Sequence, residues 1–223
     1  MSSYKISINQ MAEFSTATSS TKRRIIAQQL NPDILRIPWY QLPKARIKKS
    51  FELKGDLRPI QEAIQILLNR KPISKRQVID RQVSLEAMQR FIEMKIPSIF
   101  KEIDFSIIKP GTRSTKISGV EVIVAPEIVV KGRFKNKTVI GGVKIHISKN
   151  NPFDLQKSQI VASAIETYLQ NEVVDEDSIV LPELCICLDI YGGRIVSCSD
   201  VNNSIYNEVI EICNEIKLYW DAA

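Results

Sequence analysis

The spacing of apolar residues predicts a helical first part of the chain. Within the first hundred residues apolar side chains recur every three or four positions, the period of an amphipathic helix. Ser7 and Gln10 have capping-box spacing, which predicts a short helix through Met11 and Phe14. The same period predicts further helices over residues 19–30, 38–53, 60–68 and 74–94, with a break near Ser84 in the last.

Near residue 118 the pattern changes to alternation with a period of two, which is typical of strands. On one strand Val143, Ile145 and Ile147 share a face, and Lys144 and His146 share the other. The elements predicted in this part are strands over residues 118–134, 138–148, 178–191 and 193–200, and helices over 153–171 and 205–220. This order predicts an α/β fold, a mixed sheet flanked by helices behind a helical N-terminal region.

Two regions are predicted, a basic helical region over residues 1–105 and an α/β core over 106–223. Residues 109–119 are predicted as a loop because they combine Pro, Gly, Ser and Thr. No apolar run approaches the roughly 20 residues that span a bilayer. The first ten residues lack the basic segment and apolar core of a secretory signal. We therefore expect a cytoplasmic protein with no membrane partner.

Charge is distributed unevenly along the chain, which has a formal net charge of +6. Residues 1–118 hold 22 Lys and Arg against 10 Asp and Glu, a net +12. Residues 119–223 hold 9 against 15, a net −6. The basic half predicts a polyanionic partner, most simply nucleic acid. The alternative is that the two halves neutralise each other across an interface.

Three basic clusters are the predicted nucleic-acid contacts, because Lys and Arg bind phosphates without reading the base sequence. The predicted contact residues are Lys22, Arg23, Arg24, Lys48, Lys49, Lys75 and Arg76. Trp39 and Tyr40 lie near the second cluster, where they either stack on bases or anchor a helix by burial. DNA is the favoured partner, and a protein partner in a larger complex is the alternative.

Candidate catalytic residues fall on two consecutive strands and on the helix after them. Pro126-Glu127 lies on the first strand, Gly142-Val143-Lys144 on the second, and Gln159 on the helix. This order resembles the PD-(D/E)XK nuclease superfamily, particularly its RecB-type branch, over about 100 residues from the Glu86 helix to Asp189. The resemblance implies a restriction-endonuclease-like core and a metal-dependent nuclease or nuclease-like subunit. It would act on DNA in defence against foreign DNA or in repair.

The resemblance also implies a role for each matching residue. Glu127 would ligate Mg²⁺, the expected cofactor, since hard carboxylate oxygens hold this ion. Lys144 would orient or help deprotonate the attacking water. Glu86 or Glu93 on the preceding helix would supply a further carboxylate, and Gln159 would position the water or a nucleotide.

Two positions depart from the family's pattern. Gly142 stands where the family has an acid two residues before the lysine, and Ser163 stands where the Gln motif has a tyrosine. The alternative function is therefore a catalytically degenerate nucleic-acid-binding protein or a protein-interaction subunit. In that case Glu127 is an edge carboxylate, and Lys144 and His146 belong to the solvated face of their strand.

The remaining candidate ligands are one histidine and four cysteines. A single histidine, His146, excludes multi-histidine metal sites and histidine-based catalytic triads built within one chain. Cys185, Cys187, Cys198 and Cys213 lack CxxC spacing, which favours buried reduced thiols over a zinc or iron–sulfur site.

Overall fold

The computed structural model describes residues 4–31 and 39–223 of the chain. The strands are β1 (Lys5–Ser7), β2 (Asp104–Ile107), β3 (Ser114–Ile117), β4 (Val120–Ile123), β5 (Ile128–Phe134), β6 (Lys137–His146), β7 (Ser178–Asp189) and β8 (Arg194–Ser197). The helices are α1 (Ile8–Ser15), α2 (Ser19–Leu30), α3 (Gln41–Glu52), α4 (Arg58–Asn69), α5 (Lys75–Glu93), α6 (Ile99–Glu102), α7 (Leu155–Glu172) and α8 (Asn203–Asp221).

The strands form two sheets. The larger has the order β2-β5-β6-β7-β8, and the smaller has the order β1-β4-β3. In the larger sheet β6 runs parallel to β7, because α7 carries the chain back to the starting edge, while the other pairs are antiparallel. The fold class is therefore α/β with mixed sheets and flanking helices, as the sequence predicts.

Both faces of β6 are covered. Val143, Ile145 and Ile147 lie in a core that includes residues of α3, α4 and α5, as the alternating pattern predicts for that face. Ile140 belongs to a second core with residues of α7, α1 and α8. Each core takes residues from both sides of position 105, so the N-terminal helices and the larger sheet share their packing.

Apart from α6, which was not predicted, the helix boundaries follow the predicted ones with two exceptions. Ser7 caps α1, accepting a hydrogen bond from the Gln10 amide at 3.3 Å and donating one to the Gln10 side chain at 2.8 Å, as the capping-box spacing predicts. The break near Ser84 is wrong: α5 runs unbroken through this buried residue. The helix predicted from Pro38 begins at Gln41, and Pro38 itself lies outside the described residues.

Three short strands were not predicted. β1 pairs in parallel with β4, so a strand opens the N-terminal region that was predicted to be helical. β2 crosses the boundary at residues 105 and 106. The predicted loop over residues 109–119 is wrong for β3, which pairs with β4. In the described part of the chain, no helix is long and apolar enough to cross a membrane.

Candidate functional site

Glu127, just before β5, lies beside Lys144 of the neighbouring strand β6 in the larger sheet. Glu127 directly precedes β5, and its neighbour Ile128 pairs with Val143 of β6. The Lys144 Nζ atom is 3.7 Å from Glu127 Oε1 and donates a hydrogen bond to the Ala125 carbonyl at 2.8 Å. The structure therefore brings together the two residues to which the resemblance assigns metal binding and water activation.

Lys44 of α3 completes this cluster, which we call the Glu127 centre (Glu127, Lys144 and Lys44). Its Nζ atom donates to Glu127 Oε1 at 2.6 Å, and the Ile145 amide donates to Oε2 at 2.8 Å. Both carboxylate oxygens are thus engaged. The side chains of Glu127 and Lys144 are only 19% and 10% exposed, so the charges meet with little water between them.

Burial and charge act in opposite directions on the two central groups. Burial by itself raises the pKa of Glu127, but the Lys144 and Lys44 charges and the hydrogen bonds from Lys44 and Ile145 hold this pKa below its ordinary value. Burial lowers the pKa of Lys144, an effect that the Glu127 charge partly offsets. Neighbouring protein groups rather than solvent therefore stabilise both charges: Lys144 and Lys44 stabilise the Glu127 carboxylate, and Glu127 stabilises the Lys144 ammonium group.

Gly142 lies on the same face of β6 as Lys144, but helix α7 covers it. A Cβ atom on Gly142 would lie 3.0 Å from Ile165 Cγ2 and 3.4 Å from Leu169 Cδ1. An acid at this position would point into apolar packing, where an isolated carboxylate is strongly unfavourable. The structure therefore leaves no room for an acid at this position.

His146 and Asp189 lie opposite each other on β6 and β7, and both are buried. The His146 ring stacks on Phe153 at 3.6 Å and its Nε2 atom donates to the Asn151 carbonyl at 2.9 Å. Asp189 accepts a hydrogen bond from the Phe153 amide at 2.7 Å. Burial lowers the pKa of His146 and raises that of Asp189. The solvated-face interpretation of Lys144 and His146 is thus wrong, because α7 and the 151–153 segment cover that face.

The other residues with roles implied by the resemblance make their contacts elsewhere. Glu86 on α5 accepts from Lys149 at 2.7 Å and pairs with Arg90 at 3.3 Å. Gln159 on α7 donates to the Asp200 carbonyl at 3.5 Å. Neither forms a hydrogen bond or an ion pair with Glu127 or Lys144 among the described residues. Sequence reasoning missed Lys44, for which an 83-residue separation from Glu127 leaves no local signal.

The described side chains do not fit a Mg²⁺ site as they are arranged. The two Glu127 oxygens already accept from Lys44 and from an amide. Gly142 has no side chain to offer. In residues 4–31 and 39–223, no group of three or more His, Cys, Asp or Glu side chains is placed to hold a metal ion.

The four cysteines are free and buried, as predicted. Cys185 and Cys187 lie in the core between β7 and α7. Cys198 donates a hydrogen bond to Glu166 at 3.2 Å, and burial raises its pKa to about 12. A thiol with so high a pKa is protonated near neutral pH, so these residues contribute packing rather than thiolate chemistry.

Among the described residues, the predicted nucleic-acid contacts divide into cations with and without an ion-pair partner. Lys22 binds both oxygens of Glu215 at 2.7 Å, and Lys49 pairs with Glu52 at 2.9 Å. Arg23, Arg24, Lys75 and Arg76 are exposed, and Lys48 is partly exposed.

The two aromatic residues near the second cluster lie in different environments. Trp39 is 42% exposed beneath Arg76, whose guanidinium lies 5.2 Å from the ring centre. It is therefore not a buried anchor. Tyr40 is partly buried and packs edge-on against Tyr191 at 6.2 Å.

A cleft of about 380 Å³ opens beside the Glu127 centre. Lys48, Lys109, Glu52 and Glu127 are among its lining residues. Counting Lys44 and Lys144, which pair with Glu127, cations outnumber carboxylates around the cleft by four to two. A scan against protein-family models finds no match to this chain, and no curated protein sequence matches it.

Proposed function

We propose that the protein is a nuclease-like DNA-binding subunit that holds DNA at the cleft beside the Glu127 centre. The observation that carries this proposal is the position of Lys44, whose ammonium group lies 2.6 Å from Glu127 Oε1. A fixed cation thus engages the carboxylate to which the resemblance assigns the metal. The centre balances the carboxylate internally and leaves the cleft with an excess of positive charge.

Phosphate is the group that such a cleft fits. Lys48 and Lys109 line it, and both carry flexible ammonium groups that bind phosphates as point charges. Contacts of this kind position a nucleic acid without specifying its sequence. Binding should therefore be weakly sequence-dependent and strongly salt-dependent.

Metal-dependent DNA cleavage is the second candidate function. It is favoured by the 3.7 Å contact between Glu127 and Lys144, which joins an acid and a lysine on adjacent strands as the resemblance implies. Mg²⁺ would be its cofactor. This activity would require an arrangement in which Lys44 no longer engages Glu127.

The deciding experiment measures binding and cleavage of labelled single- and double-stranded DNA in Mg²⁺, Mn²⁺ or EDTA. The variants are Lys48→Gln with Lys109→Gln, Lys144→Ala, and Lys137→Gln as a control at the opposite end of β6. We expect binding that survives EDTA, without cleavage. Removing Lys48 and Lys109 should lower the slope of log affinity against log salt by about 2, since each phosphate contact contributes about 0.9.

Two results would overturn the proposal. Metal-dependent cleavage that is lost in Lys144→Ala would establish the nuclease instead. If a folded protein shows neither DNA binding nor DNA cleavage, both candidates are excluded and a protein partner is indicated.

A further inference from the structure

The connection between α4 and α5 carries an apolar side chain that nothing in the described chain covers. We call residues 70–76 (Arg-Lys-Pro-Ile-Ser-Lys-Arg) the α4–α5 tip. Ile73, at its centre, is 92% exposed, more than any other large apolar residue that the structure describes. A single exposed isoleucine is ordinary in a protein surface, so its surroundings decide whether it has a role.

Four cations surround Ile73 within three residues on either side. They are Arg70, Lys71, Lys75 and Arg76. All four side chains are exposed, and none has a carboxylate within ion-pair distance among the described residues, whereas Lys22, Lys44 and Lys149 all do. The tip is therefore a site of uncompensated positive charge with an apolar side chain at its centre.

Local contacts hold the tip in place. Pro72 fixes its own backbone φ angle, and the Ile73 amide donates to the Gln77 side chain at 2.8 Å. Ser74 caps α5 by accepting from the Gln77 amide at 3.3 Å, and Arg81 donates to the Leu68 carbonyl at 3.0 Å. Ile73 is thus presented to solvent from an anchored loop, which reduces the entropy lost on insertion into a partner.

We propose that Ile73 is a wedge that inserts between base pairs from the minor groove of duplex DNA, while the four flanking cations bind the phosphates on either side. Minor-groove proteins that bend DNA combine these two features, an apolar side chain that unstacks a base step and neighbouring Arg or Lys. This inference rests on the proposed DNA-binding function and adds how the DNA is bound: the duplex is kinked where it contacts the tip.

Two adjacent residues, Trp39 and Tyr40, connect the tip to the end of β7. Trp39 lies beneath Arg76 of the tip, and the next residue, Tyr40, packs against Tyr191 at the end of β7.

The test measures DNA bending separately from DNA binding. Resonance energy transfer between dyes at the two ends of a short duplex reports the bend, and anisotropy reports the affinity. The variants are Ile73→Ser and a matched control, Ile66→Ser, which replaces a 58% exposed isoleucine on α4 outside the tip. We expect the wild-type protein and Ile66→Ser to raise the transfer efficiency, and Ile73→Ser to bind the duplex with that rise lost.

The outcomes separate the wedge from the proposed function. If the wild-type protein binds no DNA, both fail. If it binds without bending the duplex, or if Ile73→Ser bends it equally, the wedge alone is overturned. Binding to phosphatidylserine-containing vesicles that is lost in Ile73→Ser, with no bending of DNA, would also overturn the wedge and assign the tip to a lipid surface. Because Ile73 is 92% exposed, unchanged thermal unfolding of Ile73→Ser serves as the folding control.

Discussion

The Glu127 centre and the α4–α5 tip are both rich in lysine and arginine, but they use this charge differently. At the Glu127 centre the cations face inward, and their contacts are a carboxylate and a backbone carbonyl. At the tip Lys75 and Arg76 face solvent with no carboxylate partner in the described chain. Buried paired charges depend on one another for solvation, while exposed unpaired charges are available to a ligand. The Lys44 and Lys144 charges therefore stabilise the fold, whereas the charges of the tip are open to a partner.

The same distinction divides the basic clusters within the N-terminal region. Lys22 is taken up by Glu215 of α8, whereas its neighbours Arg23 and Arg24 are exposed. A net charge of +12 over residues 1–118 consequently overstates the charge offered to DNA. Part of this charge is compensated by ion pairs between the basic half of the chain and the acidic half. This is the alternative interpretation of the charge distribution, in which the two halves neutralise each other.

The largest expected effect comes from removing the carboxylate of the Glu127 centre. Glu127→Gln leaves Lys144 buried with no opposite charge beside it, and breaking a buried pair in this way costs about 3–5 kcal/mol. We expect a loss of that size in the free energy of unfolding, measured by urea denaturation.

The control is Glu121→Gln on β4, which removes a carboxylate from an exposed pair with Lys5. Its cost should be about 1 kcal/mol or less, as for other surface pairs. If both variants lose the same free energy of unfolding, the buried charges of the Glu127 centre contribute no more stability than a surface ion pair. The contrast with the tip would then be wrong.

The fold class could be predicted because its central elements are long and strongly periodic. β6 spans ten residues and α7 eighteen, enough for the two periods to be distinguished. β1 and β3 span only three and four residues, and each depends on pairing with β4. Strands that short carry little periodic signal, so tertiary pairing decides them.

The candidate site was predictable only in part, for a related reason. Glu127 lies just before β5 and Lys144 lies on β6, and a tight turn at Lys135-Asn136 joins these two strands, so their proximity follows from local order. Lys44 reaches Glu127 through the docking of α3, and Asp189 faces His146 through the crossover by α7. Both contacts depend on long-range packing that residue spacing does not encode.

Acid pH should remove the stabilisation that the Glu127 carboxylate gives to the Glu127 centre. The pKa of Glu127 is lower in the folded protein than its ordinary value of 4.5, so the unfolded chain binds this proton more readily. The stabilisation is complete above pH 4.5 and is lost as pH falls through the folded pKa. We expect Tm to fall less steeply below pH 4.5 in Glu127→Gln than in the wild-type protein. Parallel pH profiles would show that Lys44 and Lys144 do not stabilise the carboxylate.

The smallest expected effect comes from removing Lys22, a cation whose ion pair within the chain makes it unavailable to DNA. Lys22→Met removes an ion pair whose side chains are 12% and 37% exposed, and should cost about 1 kcal/mol in the free energy of unfolding. Its DNA affinity should equal that of the wild-type protein, because the Lys22 ammonium already binds both oxygens of Glu215.

Arg23→Gln is the matched variant, since it removes an exposed charge from the adjacent residue. It should leave stability unchanged and weaken DNA binding with a shallower salt dependence. If Lys22→Met weakens DNA binding as much as Arg23→Gln, pairing within the chain does not decide which cations reach a ligand.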